Sequence, residues 1–296
     1  MISFTLLSGL PAARVVFSVM ASALQKWELN KGTDSSTFWL RTYFWMLPAG
    51  IWVVFIGGSP GLQLPTTFWF AAVVAGVLDA IGNRILLASL RRTDLSVFGP
   101  LNALRPVLAL LFGGLFLNEF PSFLGLCGVW ITAAGALLIL THDTSIRLGK
   151  GADQLGILLR IIGLALSTGA AVFLKQAILL GGTRSTLGIW IATGFLFHFV
   201  WSRVEAAKTP PHPPIKTSSG RFPSLGLHAA LFFVLQGLTV QVLQQNLLAY
   251  SFAFFQCSIV LQVIVGRVAF AEPAFLRRLI ASVIMLGGTL LIVWKG

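Results

Sequence analysis

Charge is scarce in this chain of 296 residues: Asp, Glu, Lys and Arg make up 10% of it, where soluble domains carry roughly 25%. That excludes an ordinary soluble domain. Acids are scarcest, 9 against 21 Lys and Arg, leaving a formal net charge of +12. Cysteine is nearly absent. Cys127 and Cys257 lie in apolar runs without metal-ligand spacing, so a disulfide framework is excluded and buried inert thiols are expected. The four histidines, His142, His198, His212 and His228, are scattered, and H-E-x-x-H, Walker and nucleophile-elbow patterns are missing. No residues are in place for enzyme chemistry or for ATP-driven pumping by this chain alone, and no cofactor or metal is expected.

Apolar residues dominate, at 56% of the chain, and they recur in runs of about 20 that can each cross roughly 30 Å of hydrocarbon. The runs do not alternate as barrel strands would. The expectation is an all-α integral membrane protein of the multi-pass kind, in a plasma or inner membrane. Ten spans are expected: Ile2–Gln25, Ser36–Ile56, Thr67–Leu90, Leu95–Phe116, Ser122–Thr141, Leu155–Leu179, Leu187–Trp201, Ser224–Leu248, Phe252–Phe270 and Ala274–Trp294. MISFTLLSGL lacks a basic n-region and reads as the start of the first span, not as a removed signal. Loops are short except Ser202–Pro223, a polar, proline-rich connector. A charge of +12 on a soluble protein would suggest nucleic acid. Here the cations divide between loops and helix interiors, which points to the bilayer and to an anionic solute instead.

The chain repeats itself. VLALLFGGLFLNEFPSFLGLCGVWITAAGALLI aligns with VLQVIVGRVAFAEPAFLRRLIASVIMLGGTLLI, so that Gly113 falls on Gly266, Glu119 on Glu272 and Gly135 on Gly288. GVLDAIGNRILLA matches GLTVQVLQQNLLA, and Lys26 and Lys175 close the first helix of each half. Ten transmembrane helices thus read as two five-helix repeats, residues 1–145 and 146–296. Five is odd, so the second repeat enters the membrane upside down, as in secondary transporters with a midplane site. The helix, the G-x-x-F-L-x-E segment and the following helix with its glycine and aliphatic run resemble the drug/metabolite transporter superfamily, in particular the EamA-type group with ten helices. That resemblance implies a transporter whose central cavity alternates between the two faces. The repeats differ at Pro106, which falls on Ile259, so the two halves should not kink alike.

Outside the spans, Lys26, Lys31, Arg91, Arg92, Arg147, Lys150, Arg203, Lys208, Lys216, Arg221, Arg277 and Arg278 fall on one side, against Arg184 and Lys295 on the other. The positive-inside rule then puts both termini outside, whereas the resemblance implies termini inside.

The spans hold Arg14, Arg41, Arg84, Arg105, Arg160, Lys175 and Arg267 against one acid, Asp79. Each such charge costs about 2.5–3.5 kcal/mol near the bilayer centre. Arg160 and Arg267 lie near span ends and are expected to snorkel; for Arg41, snorkelling and cavity lining are equally open. Arg14 heads a stripe with Ser18, Ser22 and Gln25, expected to be a wetted face. Asp79 and Asn83 share a face, with Arg84 adjacent. Asp79 is either a counter-charge or a carrier of a coupling proton. Gln244 and Gln245 are the repeat partners of Asn83 and Arg84, with Gln241 a turn earlier. Arg105 precedes Pro106, and its planar fork suits carboxylate or phosphate. Glu119 and Glu272 each precede a helix with proline in its first turn (Pro121, Pro273) and read as amino-terminal caps. Of the abundant aromatic residues, including Trp39, Trp45, Trp52 and Trp69, those near span ends read as interfacial anchors.

The expected function is secondary transport of a small organic solute that is anionic or carries a carboxylate. Arg14, Arg84, Arg105 and Lys175 would attract it, Asn83, Gln241, Gln244 and Gln245 would orient it, and Asp79 would carry a proton. The rival readings are export of cationic drugs or neutral amino acids, and a non-transporting membrane protein.

Overall fold

The computed structural model describes residues 9–56, 63–92, 101–102, 104–142, 151–208, 222–270 and 275–295. Glu272, residues 2–8 of the first expected span and most of the Ser202–Pro223 connector lie outside the described residues. Among the described residues the regular structure is helical, without strands. The helices are α1 (Gly9–Asn30), α2 (Ser35–Ile56), α3 (Thr66–Arg92), α4 (Leu104–Leu117), α5 (Phe123–His142), α6 (Gly151–Lys208), α7 (Phe222–Gln245), α8 (Leu248–Phe255), α9 (Cys257–Phe270) and α10 (Phe275–Lys295).

Local chemistry sets the boundaries. Asp34 caps α2, its Oδ2 accepting the Ser36 N–H at 2.9 Å. Ser122 caps α5, its Oγ accepting the Gly125 N–H at 3.1 Å. α4 ends where Asn118 turns to φ 53° and the Glu119 N–H reaches back to the Gly113 carbonyl at 3.1 Å.

The sixth and seventh expected spans lie on one continuous stretch, α6. It bends at Gly182, whose φ of 75° and ψ of 170° suit a residue without Cβ. Each arm is longer than the ~30 Å of a bilayer core at ~1.5 Å per residue. The ninth expected span is also corrected. It begins earlier, at Leu248, and is interrupted at Gln256 between α8 and α9. Thr66–Leu90, Gln154–Ala207, Ser224–Gln245 and Leu248–Val265 are by themselves long and apolar enough to cross a membrane. Large apolar side chains such as Phe55, Leu115, Phe123 and Val268 stand exposed on the outside of the bundle, where lipid would cover them.

Small residues let the helices close on one another. A Cβ built on Gly135 of α5 would stand 3.1 Å from the Ala281 carbonyl of α10. One built on Gly288 of α10 would stand 2.7 Å from the Gly128 carbonyl of α5. The two contacts exchange under the offset that aligns the repeats (288 − 135 = 281 − 128). Later residues of each helix meet earlier residues of the other, so α5 and α10 run antiparallel. The α2 crossing with the second arm of α6 runs the same way: Gly50 meets Ile191, and Gly188 meets Val54.

Gly288→Leu therefore overpacks the α5–α10 crossing and should cost about 1–3 kcal/mol. Gly287, whose Cβ position is open, is the control. Melting temperature and monodisperse yield in detergent read the difference, and equal loss in both variants would show that the crossing is not what holds these helices.

Candidate functional site

A cavity of about 190 Å³ is lined by residues of α1, α2, α3, α4, α6, α7, α8 and α9. α1 contributes the whole expected stripe, Arg14, Ser18, Ser22 and Gln25. α3 contributes Asp79 and Asn83, and Asn83 Nδ2 donates to Asp79 Oδ2 at 2.8 Å. Arg105 enters at the start of α4, and Ser258, its repeat partner, from α9. Asp79 is the single acid among the lining residues, facing Arg14, Arg105 and Arg160.

α8 organises the two central cations. Phe252 and Phe255 are three residues apart on this helix and share a face, with ring centroids 5.7 Å apart. The Arg14 guanidinium lies 3.5 Å from the centroid of Phe255, and that of Arg105 lies 5.6 Å from Phe252. Arg14 Nε donates to Thr239 Oγ1 at 3.2 Å, and Arg105 Nη2 donates to Ser167 Oγ at 2.6 Å. Among the described residues neither arginine meets a carboxylate within 4.0 Å, and Arg105 Nε is buried without a hydrogen-bond partner. Each guanidinium is held from behind by a ring and a hydroxyl, and its remaining donors are free to bind an anion.

Several expected site residues lie elsewhere. Arg84 follows Asn83 by one residue, about 100° round the helix, and leaves the cavity. Its Nη2 pairs with Glu205 Oε1 at 2.8 Å and its Nη1 donates to Ser36 Oγ at 2.7 Å. Lys175 also turns away, pairing with Glu119 and donating to the Asn246 carbonyl at 2.6 Å. Glu119 Oε2 accepts the Leu248 N–H at 2.7 Å. It caps a helix as expected, but the helix is α8 in the other half, not α5, which follows it. Gln241, Gln244 and Gln245 are exposed and are not among the lining residues. α7 meets the cavity with His228, Phe232, Leu235, Gln236, Thr239 and Leu243, which repeat at helical spacing on another face.

Other residues join the cavity without having been expected there. Arg160 is buried rather than snorkelling; it donates to Asn102, and both line the cavity. Trp39 is 2% exposed and packs on His228 and Phe232, so it is no interfacial anchor, whereas Trp45 and Trp52 are exposed. Arg41 is absent from the lining. Gln236, Gln256 and Gln262 supply further amides. Among the described residues no group of His, Cys, Asp and Glu has the arrangement to hold a metal ion.

No curated protein matches the chain. Among solved structures 28 chains match. One, described only as the crystal structure of a protein, superposes with a TM-score of 0.64 at 16% identity, covering 95% of this chain and 96% of its own. That likeness shows a shared fold. Residues 4–141, a little under half of the chain, match the model of the EamA-like transporter family, which is part of the drug/metabolite transporter superfamily.

Proposed function

We propose that this protein is a secondary transporter of a small organic anion or carboxylate-bearing metabolite, working by alternating access between two inverted five-helix repeats. The observation that carries the substrate class is the pair Arg14 and Arg105, backed by Phe255 and Phe252 and lacking a carboxylate partner among the described residues. Two guanidiniums left unneutralised in a cavity need an anion or water, and a carboxylate or phosphate matches the fork. Asn83, Gln236, Gln256 and Gln262 would orient the solute, and Trp39, Trp190 and Phe232 would cover its apolar body. Export of cationic drugs is the poorer reading, because Asp79 is the single acid on the wall among the described residues.

The antiparallel α5–α10 and α2–α6 crossings support the inverted arrangement, since each joins repeat-related segments. Repeats inserted the same way up would run these segments parallel.

Proteoliposomes loaded with benzoate, succinate, phenylalanine or benzyltrimethylammonium test the substrate class. Exchange of the two anions in preference to the cation is expected. Preferential movement of the cation would overturn the reading.

Charge placement puts the Ser202–Pro223 connector in the cytoplasm. A cysteine at position 218, in a background without Cys127 and Cys257, should react with an impermeant maleimide only after the membrane is permeabilised. Ready labelling in intact cells would reverse the orientation.

A further inference from the structure

We infer that the anion and a proton bind this cavity together, the proton on Asp79, so that net transport is proton–anion symport. The inference rests on the anionic reading of the substrate and adds the sign of the coupling. Asp79 already occupies part of the field that an incoming anion needs. Its carboxylate lies in the same cavity as Arg14 and Arg105, forms no ion pair among the described residues and is held by the Asn83 amide. A second negative charge entering there competes with the first for the same two guanidiniums. In a poorly hydrated cavity that repulsion is relieved when the carboxylate takes a proton from the aqueous side to which the cavity opens. On the far side, solute and proton leave together and the carboxylate returns to the arginines. A site for cationic solutes has the opposite sign, because cation and proton then contend for one carboxylate.

The groups around Asp79 bear on this assignment. α1 presents Arg14, α4 Arg105, and the first arm of α6 Arg160. Permanent cations cannot accept the proton. α2 presents Tyr43, whose buried hydroxyl has Asp79 and Asn83 as polar neighbours. The second arm of α6 presents Trp190 on the wall and His198 behind Trp39, with ring centroids 6.0 Å apart. α7 presents His228, whose Nδ1 lies 3.3 Å from Thr42 Oγ1 while its ring packs on Phe38 and Phe232. The two imidazoles are the rival proton carriers, but both sit among aromatic rings.

Calorimetric titration of the purified protein with benzoate and with succinate, in buffers of different ionisation enthalpy, reads the protons taken up. Between about pH 5 and 8, uptake approaching one proton per anion is expected, with apparent affinity falling up to about tenfold per pH unit on the alkaline limb. Asp79→Asn should bind the anions without uptake and without that pH dependence. Asp79→Glu should keep uptake in a displaced pH window, and it decides the matter if the asparagine variant fails to fold. Anion binding without uptake in the wild type, or uptake persisting in Asp79→Asn, overturns the inference while leaving the anionic reading intact. Binding of benzyltrimethylammonium with no anion bound overturns both.

Discussion

Glu119→Gln is expected to lower the folded yield more than any substitution on the cavity wall. Glu119 does two things at once: it neutralises Lys175 and accepts the N–H that opens α8. The side chains of Lys175 and Glu119 are 6% and 15% exposed, so the pair is withdrawn from water. Removing the carboxylate charge leaves a buried ammonium without its counter-charge, and the one amide oxygen that remains cannot accept from both Lys175 and the Leu248 N–H as the two carboxylate oxygens do, a loss of about 3–5 kcal/mol. Lys175→Met should cost less, since Glu119 keeps the Leu248 N–H. The double variant Glu119→Gln, Lys175→Met should recover much of the single loss, because no charge is then left buried alone. By contrast, Glu205 in the Arg84–Glu205 pair is 44% exposed, and Glu205→Gln should change stability by no more than about 1 kcal/mol. Melting curves in detergent across these four variants separate the cases. Equal, small losses at Glu119 and Glu205 would show that the buried pair does not hold the structure.

The same pair bears on transport. Leu174 and Leu243 line the cavity, and Lys175 and Asn246 follow them within a turn. The Lys175–Glu119–Leu248 contacts therefore tie the first half to the second at one end of the cavity. The proposed alternating-access cycle would have to loosen such contacts in one of its states.

The α1 stripe was legible because a helix carries its period in the sequence: Arg14, Ser18, Ser22 and Gln25 recur at helical spacing and all reach the wall. The antiparallel α5–α10 crossing was foreshadowed by Gly135 and Gly288 standing at equivalent places in the repeats. What failed was angular or non-local. Asn83 and Arg84 are neighbours in sequence, yet one faces the cavity and the other Glu205. On α7 the amides at Gln241, Gln244 and Gln245 drew attention, while the lining face runs through His228, Gln236 and Thr239. Arg160 looked close to a helix end because the apolar run begins near Leu155. The helix itself begins at Gly151, which sets Arg160 deeper. Glu119 reads as a cap in sequence, but nothing local says that the capped helix belongs to the other half. The ring support of Arg14 and Arg105 depends on the breaks either side of α8, at Asn246–Leu247 and at Gln256, and no proline or glycine marks them.

Arg105→Gln is expected to fold and to fail in transport. A buried arginine paired with a carboxylate would leave that carboxylate stranded when lost, but Arg105 contacts the Ser167 hydroxyl and the Phe252 ring instead. Its removal takes a cation out of a crowded positive field that also holds Arg14 and Arg160. Stability should therefore change by no more than about 1 kcal/mol, within the ordinary range of single substitutions. Binding of an anion loses a charge-assisted hydrogen bond, about 1.5–3 kcal/mol, which is roughly ten- to a hundredfold in affinity. Arg105→Lys keeps the charge but neither the planar fork nor its seat against Phe252, so it should recover part of the loss for a carboxylate. Succinate exchange in proteoliposomes, with melting curves on the same preparations, separates binding from folding. Unchanged exchange in Arg105→Gln removes Arg105 from the site and leaves Arg14 to bind the anion. A large drop in melting temperature would instead mean that Arg105 holds the wall together, through Ser167 and α6, more than it holds the solute.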